Sequence, residues 1–450
     1  MAQSLDHYVA EWKRVGRRGP ESLVRMREDA LHRFLSRGFP TTGEEEWRFT
    51  SVAPIAERAF VLSGSPATDA TALDVAALRL PGAAAELVFV NGCYVRSLSR
   101  LGALPAGVRV ANVAPTPSDR PIGLLDRPGN PFVALNTAFV DEVAYLELAA
   151  GAVVEPPIHF VFIAEESNGH ATMAHPRVLI TLGANTQASV IETYAGPAAA
   201  RYFTNAVSEI ALAENAVLNH YKLQYEGRDA YHIATTHVQA ERSATCTSSS
   251  VNLGGALVRN DLIAVLNGEG VECTLNGLYC ADAQRLIDNH TTIDHAQPHC
   301  GSREIYKGIL ADRARGIFNG RIIVRPDAQK TDAKQTNRAL LLSEDAQINT
   351  TPQLEIFAND VKCTHGAAVG QLDEDALFYL RSRGLSETDA RHLLVHAFAA
   401  DVLNHMPLEA IRASVEHRLQ RELVGALASA RQGQSGDRPG TIPGLSPSTA

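Results

Sequence analysis

From about residue 145 to 368, short β-type runs follow one another with little room for a long amphipathic helix. Arg177–Leu182, Ser189–Tyr194, Val207–Ala211, Val217–Lys222, Leu262–Leu266, Arg321–Val324 and Gln353–Phe357 are such runs. Small or polar turn residues bound them: Gly183-Ala184-Asn185, Glu214-Asn215, Asn267-Gly268-Glu269-Gly270, Pro326-Asp327 and Glu344-Asp345. Several of these turns recur at intervals of about 25 to 30 residues, without a clean consensus repeat. A stretch of this kind folds as a pair of sandwiches, a propeller or a β-solenoid. A propeller blade takes about 40–45 residues and carries its own signature, which is absent; a solenoid coil takes about 20–30. The spacing therefore selects a parallel β-helix.

The flanks read differently, and at 450 residues two or three structural regions are expected. Leu5, Tyr8, Val9, Trp12 and Val15 keep helical spacing. A second apolar stripe, Leu23, Ala30, Leu31, Phe34 and Leu35, starts behind Pro20 and stops at Gly38 and Pro40. Between about 85 and 125 the pattern turns to short strands, and Asn91-Gly92 marks a hairpin turn. After the β region, Asp373 opens a short helix that Gly384 ends. Ser386 with Asp389 resembles a capping box ahead of the stripe Ala390, Leu393, Leu394, Ala397, Phe398 and Val402. A last helix carries Leu408, Ile411, Val415, Leu419 and Leu423. The organisation expected is a helical region with a hairpin over 1–140, a β-helix over 141–368, a helical region over 369–428 and a flexible Pro/Gly/Ser-rich tail over 429–450.

A net charge of −9 argues against general binding to nucleic acid or anionic membranes, which needs a basic excess. No apolar run approaches the roughly 18 residues of a membrane span. The N-terminus lacks a basic segment followed by an apolar stretch, so a cytoplasmic location is expected. The six cysteines form no CxxC pair and are read as thiols of a reducing compartment.

Two constellations could carry chemistry. His290, His295, His299 and Cys300 offer zinc-type ligands, but their spacing matches no structural zinc module. On strands His290 and His295 would face opposite sides, so satisfied solenoid and turn residues are the competing account. In Cys363-Thr364-His365, residues two apart on a strand share a face, and a thiolate stands beside an imidazole. That pair suits a soft metal or an iron–sulfur cluster, or a Cys/His nucleophile without a protease context around it. Signatures for phosphate loops, HExxH, GxSxG and the Rossmann glycines are absent. A polysaccharide-cleaving β-helix enzyme is disfavoured by an aromatic content of only 6%.

Around Cys363 the words become specific. Val361–Ala367 followed by Phe378–Gly384 resembles the end of the SufB/SufD family of iron–sulfur cluster assembly proteins. So do Asp288-Asn289-His290, Pro298–Ser302, Tyr306-Lys307-Gly308, Phe318-Asn319-Gly320 and Asp332–Asn337 continuing into Leu340–Ser343. Glu45-Glu46-Trp47-Arg48-Phe49-Thr50 is similar to an entry motif of the SufD branch. The resemblance implies a right-handed parallel β-helix core flanked by N- and C-terminal helical regions. It implies a non-catalytic scaffold in a cytosolic complex with SufB and the ATPase SufC, SufC docking on Asp373 to about Leu423 and SufB meeting the β-helix. Self-pairing through the β-helix face is a further implied contact. His365, with Cys363 beside it, is the implied ligand of a transient Fe–S cluster at the seam with SufB, and no tightly bound cofactor is expected in the isolated chain. The readings that compete are the SufB paralogue and a zinc-dependent β-helix enzyme built on His290, His295, His299 and Cys300.

Overall fold

The computed structural model describes residues 2–62, 71–113, 129–166 and 169–434, with side chains over 5–62, 75–113, 129–166 and 169–422. Its core is a parallel β-solenoid of two sheets, and the chain visits the sheets alternately. The first sheet runs from Val143–Leu148 through Arg177–Leu182, Tyr202–Leu212, Tyr231–Ala240, Leu257–Leu266, Leu286–His295 and Arg315–Val324 to Gln347–Ile356. The second runs from Ile158–Ile163 through Gln187–Ala195, Val217–Tyr225, Thr245–Asn252, Glu272–Ala281, Gly301–Leu310 and Asp332–Leu341 to Lys362–Gly370. Each coil gives one strand to each sheet, so residues one coil apart come into register. Leu275, Glu304, Gln335 and His365 form one such column. The β-helix expected from the turn spacing, with helices on either side, is thus the observed architecture.

The turn residues recur because one corner of every coil needs a left-handed backbone. Asn185, Asn215, Ser243, His299 and Lys330 sit there with φ of 57, 57, 56, 60 and 62°, and Gly270 takes the same corner at 72°. Only glycine and, at some cost, asparagine adopt that region readily. Each corner N–H donates to the next coil: Asn185 to Glu214 O at 2.9 Å, Asn215 to Arg242 O at 3.0 Å, Ser243 to Glu269 O at 2.9 Å and His299 to Gln329 O at 2.9 Å. The corner therefore supplies register as well as direction.

Leu146, Ile180, Val190, Ile210, Leu218, Val238, Ala264, Leu275, Ile293 and Phe318 fill the space between the sheets. Each fully buried Val, Leu or Ile contributes about 1.5–3 kcal/mol. Both outer faces are covered as well. The N-terminal helices Ala2–Val15, Glu21–Arg37 and Pro131–Phe139 bring Tyr8, Trp12, Phe34 and Phe132 onto Met173, Phe203, Ile233 and Leu257 of the first sheet. The C-terminal helices Glu387–Leu403 and Glu409–Gln434, with Met406 in the turn between them, bring Val395, Val402, Ile411 and Leu419 onto Ile191, Leu223, Leu278 and Ile309 of the second. Strands covered on two faces lose their alternation: Tyr202–Leu212 is buried almost throughout, with Thr204, Asn205, Ser208 and Glu209 buried among its apolar residues.

Chain ahead of residue 141 closes one end of the solenoid. Ala85–Val90 pairs parallel with Ile158–Ile163, and Val108–Val113 pairs antiparallel with Val143–Leu148. The expected hairpin forms at Asn91 and Gly92, with φ of 48 and 84°. The helix starts follow their caps: Asn130 Oδ1 accepts from Phe132 N at 3.0 Å, Asp373 Oδ1 from Asp375 N at 2.9 Å, and Ser386 Oγ from Asp389 N at 3.1 Å. The last helix continues to Gln434, beyond the point where the tail was expected to begin, and residues 435–450 lie outside the described residues. Among the described residues no helix is long and apolar enough to cross a membrane. Among the described residues nothing caps the opposite end of the solenoid: Gln347–Ile356 and Lys362–Gly370 are half-buried to exposed, and Val369 and the neighbouring Phe357 are 49% and 62% accessible.

Candidate functional site: the open final coil

Strand Lys362–Gly370 pairs in parallel with Asp332–Leu341 along one side, and among the described residues it has no strand partner along the other. Its free N–H and C=O groups make it a template for another strand. Cys363 registers with Ala333 and His365 with Gln335, so both project on the face that lines the solenoid interior. Cys363 is half-buried among Ile322, Val324, Ala333 and Ala358. Burial holds its thiol above the ordinary value, the Ala333 backbone amide opposing and Asp332 reinforcing the rise. His365 is exposed, and the space around the next residue, Gly366, is open. The thiol and imidazole share a face, as the two-residue spacing predicts, and they stand at the rim of the final described coil.

Behind His365 lie two polar side chains that sequence reading gave no role. Gln335, 2% accessible, donates from Nε2 to Glu304 Oε2 at 2.7 Å. Glu304 is 1% accessible, and burial pushes its carboxyl up to about 7 against the pull of Thr291 and Gln335. Gln335 Oε1 is buried and has no hydrogen-bond partner among the described residues. Deeper in the interior Glu192 Oε1 meets His220 Nε2 at 3.0 Å, while Lys222 Nζ meets His232 Nε2 at 2.8 Å and donates to Asn260 Oδ1 at 2.5 Å. Burial brings Lys222 down to about 8 despite Glu226 and Glu192. That cluster is sealed inside the coils.

Two family models match in succession: "SufBD protein N-terminal region" over residues 1–160 and "SUF system FeS cluster assembly, SufBD core domain" over 162–398. The iron–sulfur cluster assembly protein SufD of Escherichia coli is 34% identical over 397 residues, covering 88% of this chain and 92% of the relative. The chain belongs to the SufB/SufD family of iron–sulfur cluster assembly proteins. A SufBD family protein of Synechocystis is similar to it at 35% identity over 417 residues, 89% of this chain and 90% of that one. Protein ABCI7, chloroplastic, of Arabidopsis thaliana is similar at 28% over 411 residues, 88% and 86% of the two chains.

Membership in the SufB/SufD family agrees with what becomes of the histidine cluster. His290 points outward, with Nε2 3.0 Å from Asp288 Oδ1 and 3.2 Å from Arg259 Nη1. Burial works against ionised Asp288, yet His290 and Arg259 hold its carboxyl down at about 2. His295 points inward, 3.0 Å from Ser302 Oγ, and burial lowers its ring to about 4 although Asp294 opposes. His299 occupies an exposed left-handed corner, and the Cys300 thiol donates to Gly268 O at 3.2 Å. The four are not brought together, and among the described residues no group of three or more His, Cys, Asp or Glu is placed to hold a metal. In the C-terminal helical region Leu377 anchors helix Glu374–Ser382, while Phe378 at 73%, Tyr379 at 59% and Leu393 at 47% stay accessible.

Proposed function

We propose that this SufB/SufD-family chain is a non-catalytic scaffold of cluster assembly whose open final coil meets the SufB paralogue, His365 holding the nascent cluster at that seam. Cys363 stands beside it as a second soft donor. The observation that carries the reading is the coincidence of the ligand-type pair with the unpaired edge of the uncapped coil. An Fe–S cluster takes about four protein ligands, and this rim offers two side chains, so a second chain has to complete the set. The cluster is the cargo passed through the complex rather than a resident group. A second copy of this chain would fit the same edge when the paralogue is lacking.

ATP hydrolysis belongs to a partner, because the chain has no phosphate-binding glycine loop. The exposed Phe378, Tyr379 and Leu393 are the surface offered to the SufC ATPase. Packing of helices Glu387–Leu403 and Glu409–Gln434 on the second sheet gives ATPase closure a rigid route to the coil ends. We place the complex in the cytosol, where thiols such as Cys363 stay reduced. His365→Ala is expected to abolish cluster maturation in cells while the chain still co-purifies with the ATPase. Normal maturation by that variant would sink the ligand assignment.

A further inference from the structure

A histidine that binds a metal through one ring nitrogen almost always donates its other N–H to a fixed acceptor, which sets the tautomer and the ring's direction. The coil behind His365 contains such an acceptor, without a donor among the described residues. Gln335 lies in the register position next to His365, about 4.8 Å away between strand backbones. Its Oε1 is buried and unpartnered among the described residues, whereas its Nε2 is committed to Glu304 Oε2 at 2.7 Å. An amide whose nitrogen is bound to a carboxylate below it turns its oxygen away from that carboxylate. Gln335 is also given its place by the opposite sheet. A Cβ at Gly320 would come within 2.2 Å of Nε2, so only glycine leaves room for the amide in this pose. Leaving a buried carbonyl oxygen unpaired costs about 1–3 kcal/mol, and the group nearest in register that can supply a donor is the His365 ring.

We propose that Gln335 is a positioning residue for His365: its Oε1 accepts the N–H of one ring nitrogen when the ring turns inward, leaving the other nitrogen directed out of the coil toward the cluster. Glu304 and Gly320 hold the amide in the orientation that makes its oxygen available. This rests on the reading of His365 as a cluster ligand. Gln335 makes no contact with the cargo itself.

The test uses the full chain purified with its co-purifying partners, labelled with ¹⁵N-histidine and reconstituted with ferrous iron and sulfide. Pulsed EPR of the reduced cluster reads histidine nitrogen coupling, and a chelator challenge reads retention. His365→Ala is the reference: if it keeps the wild-type coupling, the ligand reading fails before the positioning claim is reached. Gln335→Leu takes the donor from buried Glu304 Oε2 and is expected to fold with a lowered melting midpoint, to scatter or lose the coupling, and to shed its cluster about 10-fold or more faster, the scale of lost outer-shell partners. Gln335→Asn, which withdraws the amide by one methylene and keeps its polarity, is expected to do the same and serves where the leucine variant does not fold. Wild-type coupling and retention in a folded Gln335 variant, with His365→Ala losing both, would overturn the positioning role alone.

Discussion

Replacing Glu304 by glutamine gives the stability of this protein a different pH dependence, and the size can be worked from the site. Glu304 is 1% accessible, and burial raises its carboxyl from an ordinary 4.5 to about 7. A carboxyl raised on folding binds its proton more tightly in the folded chain. Its contribution is therefore undiminished below pH 4.5 and is lost as pH rises toward 7, because the unfolded chain ionises first. The difference of about 2.5 units corresponds to roughly 3 kcal/mol at pH 8, at 1.36 kcal/mol per unit. The amide of the variant cannot ionise and escapes that loss. The free energy of Glu304→Gln relative to wild type should rise by about 2–3 kcal/mol between pH 5 and pH 8, on top of a constant offset from the altered bond to Gln335. Chemical denaturation of both proteins at each half unit of pH measures it, other titrating groups cancelling in the difference. A difference that stays flat from pH 5 to 8 would refute the placement of Glu304 as a buried, protonatable carboxyl.

Arg259 is 1% accessible, donates to Asp288 Oδ2 at 2.9 Å and to Asp261 Oδ1 at 2.8 Å, and lies over the Trp47 ring at 3.9 Å. Arg259→Met takes the guanidinium from the buried Asp288 carboxylate, leaving it Thr50 and His290, and should cost about 3 kcal/mol in denaturant unfolding. In the wild type, Asp288 is lowered from 3.8 to about 2, so its contribution is present above pH 3.8 and lost as pH falls through 2; thermal melts across that window should show the loss. Asn215 sits at φ 57°, and Asn215→Val should lower stability by about 1–2 kcal/mol while Asn215→Gly stays near neutral, read by the same unfolding curves. Phe378→Asp with Tyr379→Asp removes exposed rings only, so the melting midpoint should hold while co-purification with the ATPase is lost; unchanged co-purification would move the docking surface elsewhere.

Where local chemistry decides, the residues announced the outcome. Asn185 and Asn215 mark left-handed corners because so few side chains tolerate them, and the recurrence of those corners revealed the coil length. Asn91-Gly92, Asp373 and Ser386 likewise name a turn and two helix starts from within three residues of chain. The shared face of Cys363 and His365, and the opposed faces of His290 and His295, follow from the two-residue period of a strand. A coil's phase did not show itself, since helices cover both outer faces and the alternation that would mark inside from outside is erased in Tyr202–Leu212.

The amino-acid sequence by itself determined that this chain is a β-solenoid of the SufB/SufD family with a Cys-x-His pair near the end of its β region, because turn chemistry, strand parity and specific words are local properties. Only the tertiary structure decided that this pair stands on an open edge, that four ligand-type residues upstream go separate ways, and that Gln335, Glu304 and Gly320 lie behind His365. Those relations join residues a coil apart along the chain, and the register of stacked strands sets Glu304, Gln335 and His365 side by side.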